Sequence, residues 1–251
     1  MVSILDRVRG NAPEPEPEPE DLFEEMTLQE HLEELRRRMI YAALAILVGF
    51  VGGLALTMPT LQLMARMTGL QEFVVISPTE GFTTFMKVAL YIGIGFAMPV
   101  LVYQIVRFLA PGLTRRERRY VYRSLPFVTV RFAGGVAFAF FIIVPRALSF
   151  LSGFGGGVFN DEFRAQEVVS FYMTLLLWVG VVFELPAVIY LLAKLDIVSP
   201  QRLSSFRKYA IIVIMIGAAL ITPTPDPFNM FMVAAPMYIL YELGILLARF
   251  A

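Results

Sequence analysis

The chain has no cysteine and a single histidine, His31, among its 251 residues. The first absence excludes disulfides, thiolate metal sites, iron–sulfur clusters and a thiol nucleophile. The second excludes a multi-histidine metal centre or a histidine pair on a haem. No metal and no cofactor is expected. Charge is also scarce, with 17% Asp, Glu, Lys and Arg and a net charge of zero, where an ordinary soluble domain carries about a quarter. No Walker motif is present, and the glycine-rich Ser152–Gly157 is followed by no Lys-Ser/Thr pair, so the chain is not expected to hydrolyse ATP. The first 38 residues hold no apolar run and carry eleven acidic residues, which fits neither a cleavable signal peptide nor a transit sequence.

What the chain has in excess is apolar surface, 57% of its residues, gathered into blocks. Six segments stand out: Met39–Met58, Phe82–Val106, Leu125–Pro145, Val168–Leu192, Tyr209–Ile221 and Phe228–Leu247. The first four are long enough to cross about 30 Å of hydrocarbon as helices. The fifth reaches only about 20 Å, and Glu242 interrupts the last third of the sixth. The fold class expected is all-α: a polytopic membrane protein with six transmembrane helices, of which the fifth and sixth are short or compromised. Such helices call for local thinning of the bilayer or shielding by a partner.

Two segments precede the first span. Residues 1–26 form a tail in which Pro-Glu repeats four times within Asn11–Glu20, an extended, self-repelling tether. Residues 27–38 read as an amphipathic helix on the cytoplasmic membrane surface, opened by a Thr27/Glu30 capping box and striped by Leu28, Leu32, Leu35 and Met39. The membrane domain then comprises residues 27–251.

Basic residues set the orientation. Sixteen Lys and Arg fall on the side that six spans give to both termini, and three (Arg66, Arg146, Arg164) on the other. The termini are therefore expected in the cytoplasm. Lys87 and Arg131 lie near span ends and are expected to snorkel to the nearer interface. Gly49, Gly53 and the Gly134–Gly135 pair offer sites of close helix packing.

Three carboxylates carry the functional argument. Glu184 lies inside the fourth span, two residues before Pro186. An ionisable group at that depth costs about 3 kcal/mol and usually faces a partner or a wet cavity. Pro186 deprives the Val182 carbonyl of its helical donor, so unpaired polar groups gather at one level. On the cytoplasmic side, Glu34 stands in the run His31–Arg38 and Glu117 among Arg115, Arg116, Arg118 and Arg119. Two carboxylates at a membrane surface suit the planar, bidentate binding of two adjacent arginines. Local readings compete, since Glu34 also has Arg38 four residues on, and Glu117 fits a capping box opened by Thr114. Asp226, in a proline-rich external turn, is expected to make local backbone hydrogen bonds.

From the residues alone, a protein-translocation receptor competes with two other classes. One is a proton-coupled small-molecule transporter using Glu184, although no internal repeat accompanies it. The other is an intramembrane hydrolase, for which Glu184 lacks a second acid in its span.

Four stretches, in order, resemble the TatC family, the multispan receptor component of the twin-arginine protein translocase. They are His31-Leu32 with Glu34-Leu35-Arg36 and Arg38; Phe108-Leu109-Ala110-Pro111-Gly112-Leu113 with Glu117-Arg118-Arg119; Phe183-Glu184-Leu185-Pro186; and Thr222-Pro223-Thr224-Pro225-Asp226. The resemblance runs from about Leu28 to Phe250. It implies a glove-shaped bundle, no catalysis, and a place in a prokaryotic plasma membrane. It further implies binding of twin-arginine signal peptides of folded precursors at the cytoplasmic face. There Glu34 and Glu117 would hold the arginines, and Arg36, Phe108, Pro111, Leu113 and Arg118 would shape the site. Glu184, with Pro186, would be the polar feature of the concave membrane face. The implied partners are TatA- and TatB-type single-span proteins docking at the short helices, membrane lipid, and self-association, with no nucleic acid. Transport would be driven by the proton-motive force. Arg131 and the Pro-Glu tether have no counterpart in the family pattern.

Overall fold

A computed structural model describes residues 28–68, 73–109, 115–153, 164–194, 196–222 and 226–250, without the side chains of 28, 68, 109, 115–117, 121 and 124. The Pro-Glu tether, Thr27, Pro111, Leu113, Thr114, the glycines at 155–157 and positions 223–225 of the external turn lie outside the described residues. Among those described, every element is helical: α1 (Leu28–Thr68), α2 (Glu80–Leu109), α3 (Arg115–Phe138), a π-helical turn (Ala139–Ile143), α4 (Val144–Gly153), α5 (Ala165–Val182), α6 (Leu185–Lys194), α7 (Pro200–Ser205), α8 (Arg207–Ile221) and α9 (Pro227–Ala248).

Five helical stretches among the described residues are long and apolar enough to cross a membrane. The fifth in chain order of the six expected spans, α8, falls short, because its 15 residues reach only about 22 Å. The sixth, α9, spans 22 residues, or about 33 Å.

Residues 28–38 continue into the first span as the first turns of the 41-residue α1, and Leu32, Leu35 and Met39 are exposed along it. Two later spans are interrupted. The third span is interrupted by the π turn, where the N–H of Val144 donates to the carbonyl of Ala139. Pro145 follows at once, and having no N–H it cannot serve the Phe141 carbonyl. The fourth span is two helices, α5 and α6, with a turn at Phe183 and Glu184.

Small residues let the backbones approach. A methyl group at Gly49 would run into the carbonyl oxygen of Gly93, and one at Gly53 into that of Ala89. A methyl at Gly93 would lie 2.5 Å from the Phe50 nitrogen. The α1–α2 pair is thus joined backbone to backbone, as the GxxxG spacing foretold. Of the Gly134–Gly135 pair only Gly135 packs closely: a methyl there would lie 2.9 Å from the Gly180 Cα on α5, while Gly134 faces open space. The core gathers on α5, the π turn and α9, with Tyr172, Ile143, Leu175 and Ile245 nearly inaccessible.

Candidate functional site

On α1 the spacing 31, 34, 38 puts His31, Glu34 and Arg38 on one face. On α2, Gln104 and Phe108 are likewise one turn apart. The glycine-mediated approach brings these two faces together at one end of the pair. His31 stacks on Phe108 with ring centroids 4.3 Å apart and planes inclined by 26°. Glu34 Oε1 accepts from Arg38 Nη2 at 2.7 Å and from Nε at 3.3 Å. Arg38 Nη1 also donates to Gln104 Oε1 at 3.4 Å. The pair is well shielded, with side-chain exposures of 12% for Arg38 and 14% for Glu34. The second oxygen, Glu34 Oε2, is buried and has no hydrogen-bond partner among the described residues. The local i,i+4 pairing is therefore present, and it leaves half of the carboxylate uncommitted.

The start of α3 leans on the same end. Arg107 donates to the Tyr103 hydroxyl at 3.0 Å, the Tyr103 and Tyr122 rings lie 6.0 Å apart, and Arg118 stands over Tyr122 at 5.9 Å. This ladder places Arg118 beside the end of α2. Glu117 belongs to the first turn of α3, and its side chain is outside those described. Arg36 is exposed and takes no part in these contacts. Gln104 was not singled out in the sequence; a polar residue one turn before Phe108 was the available signal.

Glu184 lies at the α5–α6 break. The N–H of Phe183 donates to Val179, that of Glu184 to Val181, and that of Val188 to the Glu184 carbonyl, each at 3.0 Å. The missing donor at Pro186 ends α5 at Val182. Pro186, at the second position of α6, is harmless there because first-turn N–H groups have no helical partner. Glu184 is 8% exposed, and neither carboxylate oxygen has a hydrogen-bond partner among the described residues. Arg131 on α3 is half-buried and within electrostatic range of this carboxylate. Phe138 and Phe183 rings, 5.5 Å apart, close the α3 side of the break.

Two other carboxylates are fully engaged, and both escaped sequence reasoning. Glu80 Oε1 accepts from Arg164 Nε at 3.0 Å and from the Gln166 N–H at 3.3 Å, while Oε2 accepts from the N–H groups of Ile76 and Ser77 at 3.0 and 3.3 Å. The hydrogen bond to Glu80 raises the Arg164 pKa further above its ordinary value, so the guanidinium stays charged. The N–H of Ala165 donates to the Val74 carbonyl at 2.9 Å, which completes a clamp between the loop before α2 and the start of α5. Glu242, read as a flaw in the sixth span, is bound bidentately by Arg207 at 2.6 and 2.8 Å and accepts from the Tyr238 hydroxyl at 3.0 Å. Asp226 caps α9, accepting from the Asn229 N–H at 2.7 Å and its amide at 2.8 Å.

The family described as "Sec-independent protein translocase protein (TatC)" matches residues 30–236. The chain belongs to the TatC family. The TatC protein of Carboxydothermus hydrogenoformans is 40% identical over 227 residues, covering 90% of this chain and 93% of the relative. That of Koribacter versatilis is 37% identical, over 88% and 84% of the two chains. A crystal structure of the twin arginine translocase receptor TatC superposes with a TM-score of 0.78 at 32% identity, covering 88% of this chain and 99% of that one. A second, in DDM, gives 0.79 at 33% identity. The chain is thus a multi-pass plasma-membrane component of the twin-arginine, Sec-independent protein translocase, and not an enzyme. Membership takes the place of the small-molecule transporter and hydrolase readings.

Proposed function

We propose that this TatC chain is the receptor for twin-arginine signal peptides, reading them at the end of the α1–α2 pair and nucleating assembly of TatA- and TatB-type single-span proteins for export driven by the proton-motive force. The observation that carries the reading is the half-used carboxylate of Glu34. One oxygen is held by Arg38, and the other is buried without a donor among the described residues. A buried acceptor left unpaired is unfavourable by about 1–3 kcal/mol. An arriving guanidinium relieves that deficit and brings its own charge. A peptide arginine is bound by Glu34, and Arg38 fixes the carboxylate orientation through Gln104. By position on α3, Glu117 takes the second arginine, with Arg118 beside it and Phe108, backed by His31, offering an apolar wall. Pro111 and Leu113, which lie between α2 and α3 in the sequence, are proposed to shape the same site.

The test is site-specific crosslinking of the purified chain to signal peptides carrying Arg-Arg or Lys-Lys. Glu34→Ala is expected to weaken Arg-Arg capture by about tenfold or more, the scale of one charge-assisted bidentate pair. Lys-Lys peptides are expected to bind the unaltered chain poorly, because an ammonium cannot copy the fork. Equal capture of the two peptides, or undiminished capture by Glu34→Ala, would rule out recognition through this carboxylate.

A further inference from the structure

Beside the π turn, on the outer side of the expected topology, the end of the third span and α9 line a groove. Two neighbouring cavities have Arg146 and Phe228 in common on their walls. The outer one, of about 590 Å³, is bounded by Phe141, Phe150 and Phe228, with Arg146 at its wall. The inner one, of about 310 Å³, descends along α9 past Phe231 and Ala235 to Pro236. From Phe228 to Pro236 the axial distance is about 12 Å. Phe150 and Phe228 stack at 4.0 Å and brace the mouth.

Among the described residues, Arg146 is the one charged side chain on these walls. It is exposed, and Nη1 donates to the Ile142 carbonyl at 3.1 Å. No ion pair engages it among the described residues. Arg164, expected on the same side, is by contrast locked to Glu80. A guanidinium has five N–H donors, so most of its capacity at Arg146 is uncommitted beside an apolar slot.

From this we infer that the groove between the π turn and α9 is a phospholipid site, with the phosphodiester bound by Arg146 and one acyl chain laid along Phe231 and Ala235. Charge complementarity selects an anionic head, and a fork-shaped cation suits phosphate oxygens. Apart from Arg146, the inner cavity is lined by apolar side chains, which suits an acyl chain. The seat is separate from the α1–α2 notch and does not depend on how signal peptides are read.

Native mass spectrometry of the full chain in mild detergent tests this. The added lipid is phosphatidylglycerol, phosphatidylethanolamine or, as a headless control, diacylglycerol. The unaltered chain is expected to retain one phospholipid and no diacylglycerol. Arg146→Gln is expected to reduce retention about tenfold or more, the scale of a charge-assisted contact. Ala235→Phe, which fills the inner cavity and keeps the cation, is expected to reduce it as well, with an unshifted melting temperature of the delipidated protein showing that the variant is folded. Arg66→Gln, a cation expected on the same side but off the groove, should change nothing. Full retention by Arg146→Gln, or equal retention of diacylglycerol, overturns the proposal. So does loss of a co-purifying single-span protein from Arg146→Gln while its lipid stays bound, which would make the groove a helix seat.

Discussion

Glu80 and Glu184 are both buried, at 2% and 8% exposure, and the bundle treats them in opposite ways. Glu80 is met by one guanidinium and three backbone N–H groups. Glu184, at the break between α5 and α6, receives no hydrogen bond at either oxygen from the described residues. A saturated buried carboxylate is a fastener. An unsaturated one is retained against its desolvation penalty, which points to a task outside the resting fold. Glu34 stands between the two, with one oxygen held and one free.

The comparison is open to measurement in detergent by thermal melting. The largest expected effect lies at neither acid. Gly93→Leu forces a side chain into the Gly49–Phe50 backbone, and overpacking of that kind destabilises by about 3 kcal/mol. It should also release the His31–Phe108 stack and with it the alignment of Glu34. Unchanged melting would show that the α1–α2 approach is looser than backbone contact.

Next comes Glu80→Ala. It leaves three N–H groups without their acceptor and Arg164 with only Glu167, 3.6 Å away, so the melting temperature and the resistance of the loop before α2 to proteolysis should both fall clearly. Arg164→Ala added to it should cost little more, because the two side chains act as one unit. Additive losses would mean that Glu80 is held mainly by the backbone donors.

Glu184→Gln should have the smallest effect on the fold. An amide fits the same volume and no hydrogen bond is lost, so the melting temperature should shift little. Export of a twin-arginine precursor by membranes carrying that variant should nevertheless drop. A large fall in melting with export intact would invert the comparison and make Glu184 the fastener.

Much of this was legible in the residues. Gly49 and Gly53 mark the α1–α2 approach because a four-residue spacing puts both on one helix face. Pro186 marks the break in the fourth span because a missing N–H is a local fact. The Asp226 cap was legible for the same reason, with its partner three residues away. The fasteners were not. Glu80 and Arg164 are separated by 84 positions and Glu242 and Arg207 by 35, and no periodicity links them.

By itself, the order of residues determined where the apolar segments lie, that they are helical, and which end of the bundle collects the basic charge. Those properties depend on hydropathy and hydrogen bonding within one stretch of chain. Which acids are quenched and which stay unsatisfied was decided only in three dimensions. That outcome depends on the rotation and depth at which separate helices meet, and backbone contacts at Gly93 and Gly135 set both.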